Sequence, residues 1–333
     1  MADKNPIRIA IIDCLKQKDG YVSGGELCVR FRVTRAAVWK QIQELRRRGY
    51  RIEGVPSTGY RLLSVPDILS ESEILCGCPK GKRIGAKIHV LETTVSTNEY
   101  AWLLAEGGAR EGEVVIAEEQ TGGKGRRGRV WASPGGVNLY TSLILRPRIL
   151  PHQAPLITLL ASVAIAQVVR EGYAKEAAIK WPNDVLVEGK KVAGILSEMS
   201  AEADGVHFLI LGIGVNLNMT SDMFPSEMLY PGTSLCVVTG RKVNRASFAG
   251  ALYTMLDYWY DVFLQEGSTP VRDAWLKACV HHGQILGVET AAGIRKGWFA
   301  GLGEDGCLLL KTSQEGVERI HACDVLHSVP ASS

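Results

Sequence analysis

Beyond Val65-Pro66-Asp67 the chain alternates strand-like and helical segments, and this alternation restricts the fold more than any other feature of the sequence. Residues 114–117 and 138–145 predict strands, 156–171 a long apolar helix, and 185–187, 192–199 and 208–218 three more strands. Residues 247–265 and 271–279 predict helices. Some strands neighbour one another as hairpins do, so the α/β body is expected to hold a mixed sheet rather than a purely parallel one. From Gln284 onward, short alternating segments are punctuated by seven glycines from Gly287 to Gly316, a pattern that suits a small β-barrel. A chain of 333 residues exceeds what one core usually serves, and the expected domains are residues 1–65, 66–280 and 281–330.

The residues before that boundary have a different pattern. Ile7, Ile11, Ile12 and Leu15 fall on one face of a helix over residues 7–17. Ser23, with Glu26 three residues on, starts a second helix, and Thr34 caps a third that runs to about Arg48. In the third helix Val38, Ile42 and Leu45 face a core, and Gly49 ends it. Residues 50–53 and 59–63 then predict a hairpin around Pro56-Ser57-Thr58-Gly59. Three helices and a hairpin make a winged helix-turn-helix, whose recognition helix needs a polar, basic outer face to meet phosphates and base edges. Arg35, Lys40, Gln43 and Arg47, with Arg46 beside them, supply such a face. A small protein-interaction module with a merely solvated basic face is the alternative. Charge favours DNA: residues 1–65 carry 13 Lys and Arg against 6 Asp and Glu, a balance of +7, whereas the rest carries 25 against 29, a balance of −4. Trp39 lies at the edge of the outward face; the cost of exposing an indole favours a place against the wing over contact with DNA.

No run of about 18 apolar residues appears, so no helix is expected to span a membrane, and Met1-Ala2-Asp3-Lys4-Asn5-Pro6 lacks the basic-then-apolar order of a signal peptide. A cytoplasmic protein without a membrane partner is expected. The eight cysteines fit this: they form no CxxC pair and no zinc-finger spacing with histidine, so reduced, mostly buried thiols are expected. His281-His282 has no acidic or cysteine ligand at fixed spacing.

Three motifs carry chemistry. Gln120-Thr121-Gly122-Gly123-Lys124-Gly125-Arg126-Arg127-Gly128-Arg129 follows a predicted strand and combines four glycines with four cations. Glycines let backbone approach a ligand, and the cations attract phosphate or carboxylate. An RGG-like RNA segment or a localisation patch would have the same composition, but such segments lie in disordered sequence rather than between strands and beside Trp131. Lys180-Trp181-Pro182-Asn183-Asp184 alone is a turn signal. Lys190-Lys191, however, enters an apolar strand, where an inward lysine needs an anionic partner. Leu211-Gly212-Ile213-Gly214-Val215-Asn216-Leu217-Asn218 has no following helix, so a dinucleotide site is a poor match, and its glycines mark a strand against which something packs closely.

In this order and spacing, and with Ser96-Thr97-Asn98 ahead of them, the three motifs resemble those of the biotin–protein ligases. The winged helix is similar to that of the bifunctional members, which also repress biotin-synthesis genes. The resemblance covers nearly the whole chain and is strongest over residues 96–218; the tail corresponds in position and character to the family's small SH3-like β-barrel. It implies an ATP-dependent enzyme that forms biotinyl-AMP and passes biotin to a lysine of the biotin carboxyl carrier protein of acetyl-CoA carboxylase. It also implies operator DNA as a partner and a homodimer. Ser96, Thr97 and Gln120 would hydrogen-bond the biotin ureido ring, with Asn98 in the same signature and Gly123 lining the pocket. Lys124, Gly125 and Arg126 would close over the carboxylate and adenylate phosphate, with the loop's glycines suited to ordering on the ligand. Lys191 would approach the carboxylate and α-phosphate, and Trp131 and Asn216 would hold adenine. Lys191 and Arg126, with Mg²⁺, would offset the repulsion between the two anions. Asp184 either binds Mg²⁺ or orients a cation. The family commonly has arginine where this chain has Lys124, which keeps the charge and loses the planar fork. A lipoate–protein ligase, or a metabolite-sensing transcription factor without ligase activity, is the competing expectation.

Overall fold

The structure, a computed structural model, describes residues 6–76, 78–79, 81–225, 230–290, 293–312, 316–321 and 323–330. It divides into two compact units, a head of residues 1–78 with 244–250 and a body of residues 79–243 with 251–333.

The head contains α1 (Pro6–Lys16), α2 (Gly24–Phe31) and α3 (Arg35–Arg47), then the hairpin strands β1 (Arg51–Val55) and β2 (Gly59–Ser64), and the short α4 (Glu71–Leu75). Ser23 Oγ accepts from Glu26 N at 3.0 Å and Thr34 Oγ1 from Ala37 N at 3.2 Å, as capping of α2 and α3 requires. Ile11, Ile12, Leu15, Leu27, Val38, Ile42, Leu45 and Ile52 form one core. Glu73 is buried and receives Lys16 at 2.8 Å and the Tyr50 hydroxyl, which ties α4 to the helices. Arg35, Lys40 and Arg47 are exposed and Gln43 is half-buried. Trp39 corrects the expectation that it tucks against the wing, since it is 58 % exposed. Arg46 donates to the Ile52 carbonyl at 3.0 and 2.8 Å, so the place beside the wing strand is taken by arginine.

The body is built on a seven-stranded mixed sheet in the order β3-β4-β5-β9-β8-β7-β6. Its strands are β3 (Lys87–Thr94), β4 (Glu113–Gln120), β5 (Leu139–Leu145), β6 (Ala178–Lys180), β7 (Asp184–Val187), β8 (Lys190–Glu202) and β9 (Gly205–Val215). Only the β3–β4 pair is parallel. Between them, α5 (Thr97–Glu106) packs on β4, β5 and β9, while α6 (Pro155–Gly172) packs on β6, β7 and β8. Thirteen residues of α6 are buried, because it is apolar on every side. By length and composition residues 151–172 could cross a membrane, which corrects the expectation that no such stretch exists: Ala, Ser and Thr interrupt the aliphatic run without lowering its hydropathy enough. In the fold, 72 % of that apolar window is buried. The remaining helices are α7 (Leu235–Thr239), α8 (Arg245–Glu266), whose first residues group with the head, and α9 (Ser268–Ala278) against α6.

Strands β10 (Gln284–Thr290), β11 (Gly293–Leu302), β12 (Leu308–Thr312), β13 (Gly316–Ile320) and β14 (Asp324–Pro330) form an antiparallel sheet in the order β13-β12-β11-β10-β14. The expected barrel is not closed: among the described residues β13 and β14 are the two edges. Asp324, the first residue of β14, is committed to arginines outside this sheet, and the strand runs along β10 instead of returning beside β13.

Candidate active site

A cavity of about 410 Å³ opens on the body, lined by the start of α5, the loop after β4 and residues of β6 to β9. Ser96, Thr97 and Asn98 are buried at the N-terminus of α5. The Ser96 hydroxyl caps nothing there and lines the cavity, whereas Thr97 N and Oγ1 donate to Gln120 Oε1 at 2.8 and 3.1 Å. Gln120 Nε2 donates to Ser133 Oγ at 2.9 Å, which fixes the amide's orientation. Asn98 donates to Glu198 Oε2 at 2.6 Å, and its Oδ1 lies 2.6 Å from Ser142 Oγ. It is therefore a support for the pocket wall as much as part of the wall.

The strand glycines explain the close packing expected of them. A Cβ on Gly212 would stand 2.1 Å from Asn98 Oδ1, and one on Gly214 2.5 Å from the Trp131 indole. Gly194, the register partner of Gly214, would meet the same indole at 2.9 Å. These positions thus let Asn98 and Trp131 lie directly on β8 and β9. The Trp131 Nε1 is buried without a hydrogen-bond partner among the described residues. Asn216, also buried, holds its Oδ1 3.3 Å from Asn138 Nδ2.

The anionic partner that an inward lysine needs is Asp184. The Lys191 ammonium stands 2.6 Å from its Oδ1 as an ion pair, off the axis of a hydrogen bond, and 5.2 Å from the Trp131 ring centroid. Lys180, buried at the end of β6, sits over the Tyr230 ring at 2.9 Å, and burial pulls its ammonium down to about 8, with Asp184 opposing. Nearby, outside the cavity wall, His281 is buried, and burial pushes it down to about 4.

The glycine-rich loop is anchored by its cations. Lys124 pairs with Glu99 at 2.5 Å, both groups half in water. Arg126 reaches the Cys323 carbonyl at 3.3 Å and Asn183 Oδ1 at 3.5 Å, and Arg127 reaches Glu289 at 2.8 Å. Arg129 pairs with Asp324, which also stands 3.6 Å from Arg126 and 3.5 Å from Arg127. Asp324 lies 195 residues from Arg129, and no sequence spacing announces it. Every expected ligand-binding residue except Gly123 lines the one cavity. Gly123 is packed behind it, where a Cβ would stand 2.5 Å from Ser133 Oγ and the Trp131 carbonyl. Arg35, Lys40, Gln43 and Arg47 belong to the head instead.

All eight cysteines are free, three of them buried and five half-buried. Asp305, Cys307 and His321 bring one possible metal-ligand atom each within 4.8 Å of one another, a group that no spacing in the sequence marks. Arg319 occupies Asp305 at 2.9 Å, and burial keeps the Cys307 thiol protonated, at about 11, so the trio is poorly suited to a cation.

Residues 90–216 match the biotin/lipoate A/B protein ligase family and residues 8–61 an HTH domain. The chain is 38 % identical over 323 residues to the bifunctional ligase/repressor BirA of Bacillus subtilis, covering 97 % of this chain and 99 % of that one. It is 31 % identical over 317 residues to the bifunctional ligase/repressor BirA of Escherichia coli, covering 94 % of each. Among solved structures, the biotin protein ligase from Aquifex aeolicus in complex with biotin and ATP aligns with a TM-score of 0.61 and 27 % identity, over 71 % of this chain and 96 % of that chain.

Proposed function

The chain belongs to the bifunctional ligase/repressors of the biotin–protein ligase family, and we propose that the cavity on its mixed sheet is where biotin and ATP are joined. The protein is a biotin–[acetyl-CoA-carboxylase] ligase that uses ATP and carries a DNA-binding head. The observation that carries the site assignment is that one cavity gathers Ser96, Gln120, Arg126, Trp131, Lys191 and Asn216 from four separate stretches of chain.

Ser96, Thr97 and Gln120 present the fixed hydroxyls and amide that a ureido ring would meet. A carboxylate oxygen of biotin attacks the α-phosphorus of ATP; the new P–O bond forms as the bond to the β-phosphate oxygen breaks, and that electron pair leaves with pyrophosphate. Lys191 and Arg126 stabilise charge on the carboxylate and the α-phosphate. Trp131 and Asn216 hold adenine. An acceptor lysine, as the neutral amine, then attacks the mixed anhydride's carbonyl carbon, forming the amide and releasing AMP. The acceptor is the carboxyl carrier protein. The loop over residues 122–129 keeps water from the anhydride.

Mg²⁺ fits this site. Asp184 Oδ1 is a buried oxygen that accepts no aligned hydrogen bond among the described residues and is ion-paired with Lys191 at 2.6 Å. Once Lys191 turns to substrate phosphate the carboxylate would be left for Mg²⁺, which is commonly held by one or two carboxylates together with substrate phosphates. Asp184 would hold the ion, which would supply charge neutralisation at the phosphates. Residues 1–65 are assigned to operator binding through Arg35, Lys40, Gln43 and Arg47, residues 66–280 to catalysis and 281–330 to support of the loop. We further assign the protein to the cytoplasm, whose reducing setting suits eight cysteines that form no disulfide, and to a homodimer on DNA.

Biotin-dependent exchange of labelled pyrophosphate into ATP tests the reading. Exchange with biotin and not with lipoate is expected. Exchange with lipoate alone would make the chain a lipoate ligase, and none with either acid would leave a DNA-binding sensor.

A further inference from the structure

Lys180 carries a charge for which the assignments above give no task. A buried ammonium is costly unless an anion or an acceptor faces it. Among the described residues no oxygen accepts a hydrogen bond from Lys180; its Nζ rests on the Tyr230 ring, 2.9 Å from the centroid. The ring is held in place because the Tyr230 hydroxyl donates to the Val325 carbonyl. The nearest carboxylate in register, Asp184, is already paired with Lys191 at 2.6 Å. Lys180 is thus a fixed cation with unspent donors on the wall of the reactant cavity.

Its place along the sheet says which anion it meets. The Ser142 and Gly212 positions that support Thr97 and Asn98 lie on β5 and β9, Trp131 lies on β9 and β8, Lys191 and Asp184 belong to β8 and β7, and Lys180 closes β6, the edge strand. The biotin end, the adenylate centre and Lys180 therefore follow one another across the sheet. In-line displacement at phosphorus puts the leaving group opposite the attacking oxygen. If biotin enters from the β5 side, the leaving group departs towards β6.

Resting on the ligase reading, we propose that Lys180 binds the pyrophosphate portion of ATP and holds it as it leaves. When the bond between the α-phosphorus and the bridging oxygen breaks, its electron pair and negative charge pass to pyrophosphate, whose oxygens accept hydrogen bonds from the Lys180 ammonium. No proton is transferred in this step. The role is separate from that of Lys191, which faces the α-phosphate in both directions of the reaction.

The test uses the full-length chain with inorganic pyrophosphate as probe. In biotin-dependent exchange, Lys180→Gln is expected to raise the KM for pyrophosphate tenfold or more and that for biotin less than threefold, while Lys180→Arg recovers most of the pyrophosphate affinity. A pyrophosphate KM within twofold of wild type in the Gln variant overturns the proposal, as does an equal rise in both constants. The wild-type protein gives a second measurement that needs no variant. With neither biotin nor ATP present, saturating inorganic pyrophosphate should slow acylation of the Lys180 amine at least fivefold by mass spectrometry and leave exposed Lys190 unchanged. Equal rates with and without pyrophosphate overturn the proposal. Wild-type protein that exchanges no label with biotin would refute the ligase reading itself, a result distinct from normal exchange that is indifferent to Lys180.

Discussion

Lys191 and Asp184 show what one residue's surroundings add to a motif. The sequence requires that a lysine entering an apolar strand find an anion, and Asp184 is that anion, 2.6 Å away. The pair explains how Lys191 is tolerated without ligand, and why it can be redirected once phosphate arrives. Lys191→Ala should reduce adenylate formation by the two to three orders of magnitude that loss of one electrostatic donor typically costs, about 3 to 4 kcal/mol, with the fold intact but the melting temperature lowered, because buried Asp184 loses its partner. Adenylate formation within threefold of wild type would exclude this role. Asp324 was not legible at all: its meaning lies in three arginines roughly two hundred positions upstream, and only the fold brings them within 4 Å. His281 was legible only as a residue without metal-ligand spacing. Its Nε2 accepts from Trp181 N at 3.2 Å, so the neutral ring is the one the fold uses. With a folded value of about 4, below the 6.5 of the free side chain, the unfolded state binds the proton more readily. Stability from this group is present above about pH 6.5 and declines as pH falls towards 4, by about 2 kcal/mol between pH 8 and pH 5. Urea midpoints should therefore fall more steeply with acid in wild type than in His281→Leu; the lost Trp181 contact costs that variant the same at both pH values and cancels. Identical pH dependence would dismiss the argument.

At the level of elements, what could be read depended on how strongly each segment advertises its burial. The fully buried β5 and the apolar α6 are visible in the sequence because nearly every residue is hydrophobic. β3 and α5 are not: β3 is an edge strand with mixed exposure, and α5 is only weakly amphipathic, so neither has a clear period. The tail's glycines predict short strands correctly but not their closure, because closure depends on where β14 finds its partners. The strand glycines carry the more specific lesson. Gly214 looks like a weak point in a strand, yet its missing Cβ is what admits the indole of Trp131. Gly214→Ala places that carbon 2.5 Å from the ring and must push it off the sheet. ATP affinity should fall at least tenfold, with biotin affinity within threefold of wild type, since Ser96, Thr97 and Gln120 lie at the other end of the cavity. Calorimetric titration of each ligand separates the two; an unchanged ATP affinity would mean that Trp131 does not hold adenine.

For the molecule as a whole, the change of charge near residue 65 predicts two jobs; the two compact units divide after residue 78 instead, with residues 244–250 grouped with the head. Deleting residues 1–65 removes Lys16 and Tyr50 from Glu73, but the same cut returns Glu73 to water, so no buried charge is left unpaired. The shortened protein should keep most of its ligase activity, measured as biotin incorporated into the carrier protein; a soluble, folded product that cannot biotinylate would show that the head is needed for catalysis.

Regulation follows from joining the two jobs in one chain. A single winged helix contacts a short stretch of DNA, so two heads on a palindromic site are expected. The loop's arginines have protein partners without ligand, Asp324 and Glu289, and a ligand phosphate competes for Arg126 and its neighbours. Biotinyl-AMP thus selects one arrangement of the loop, and a contact between two copies that uses this arrangement no longer bears the cost of ordering it. Dimerisation then brings two heads of charge +7 each to one operator, which adds affinity that weakens steeply with salt. On the proposal that the homodimer contact uses this loop, an acceptor that docks there to collect biotin would compete with the second copy, and unbiotinylated acceptor should relieve repression. Sedimentation with and without biotin and ATP, paired with operator binding at fixed salt, measures both halves. At least tenfold tighter self-association and operator binding are expected with biotinyl-AMP, and added acceptor should reverse both. If the adenylate changes neither quantity, the proposal that Arg35, Lys40, Gln43 and Arg47 contact DNA stands apart from this one, and occupancy of the operator carries no information about biotin.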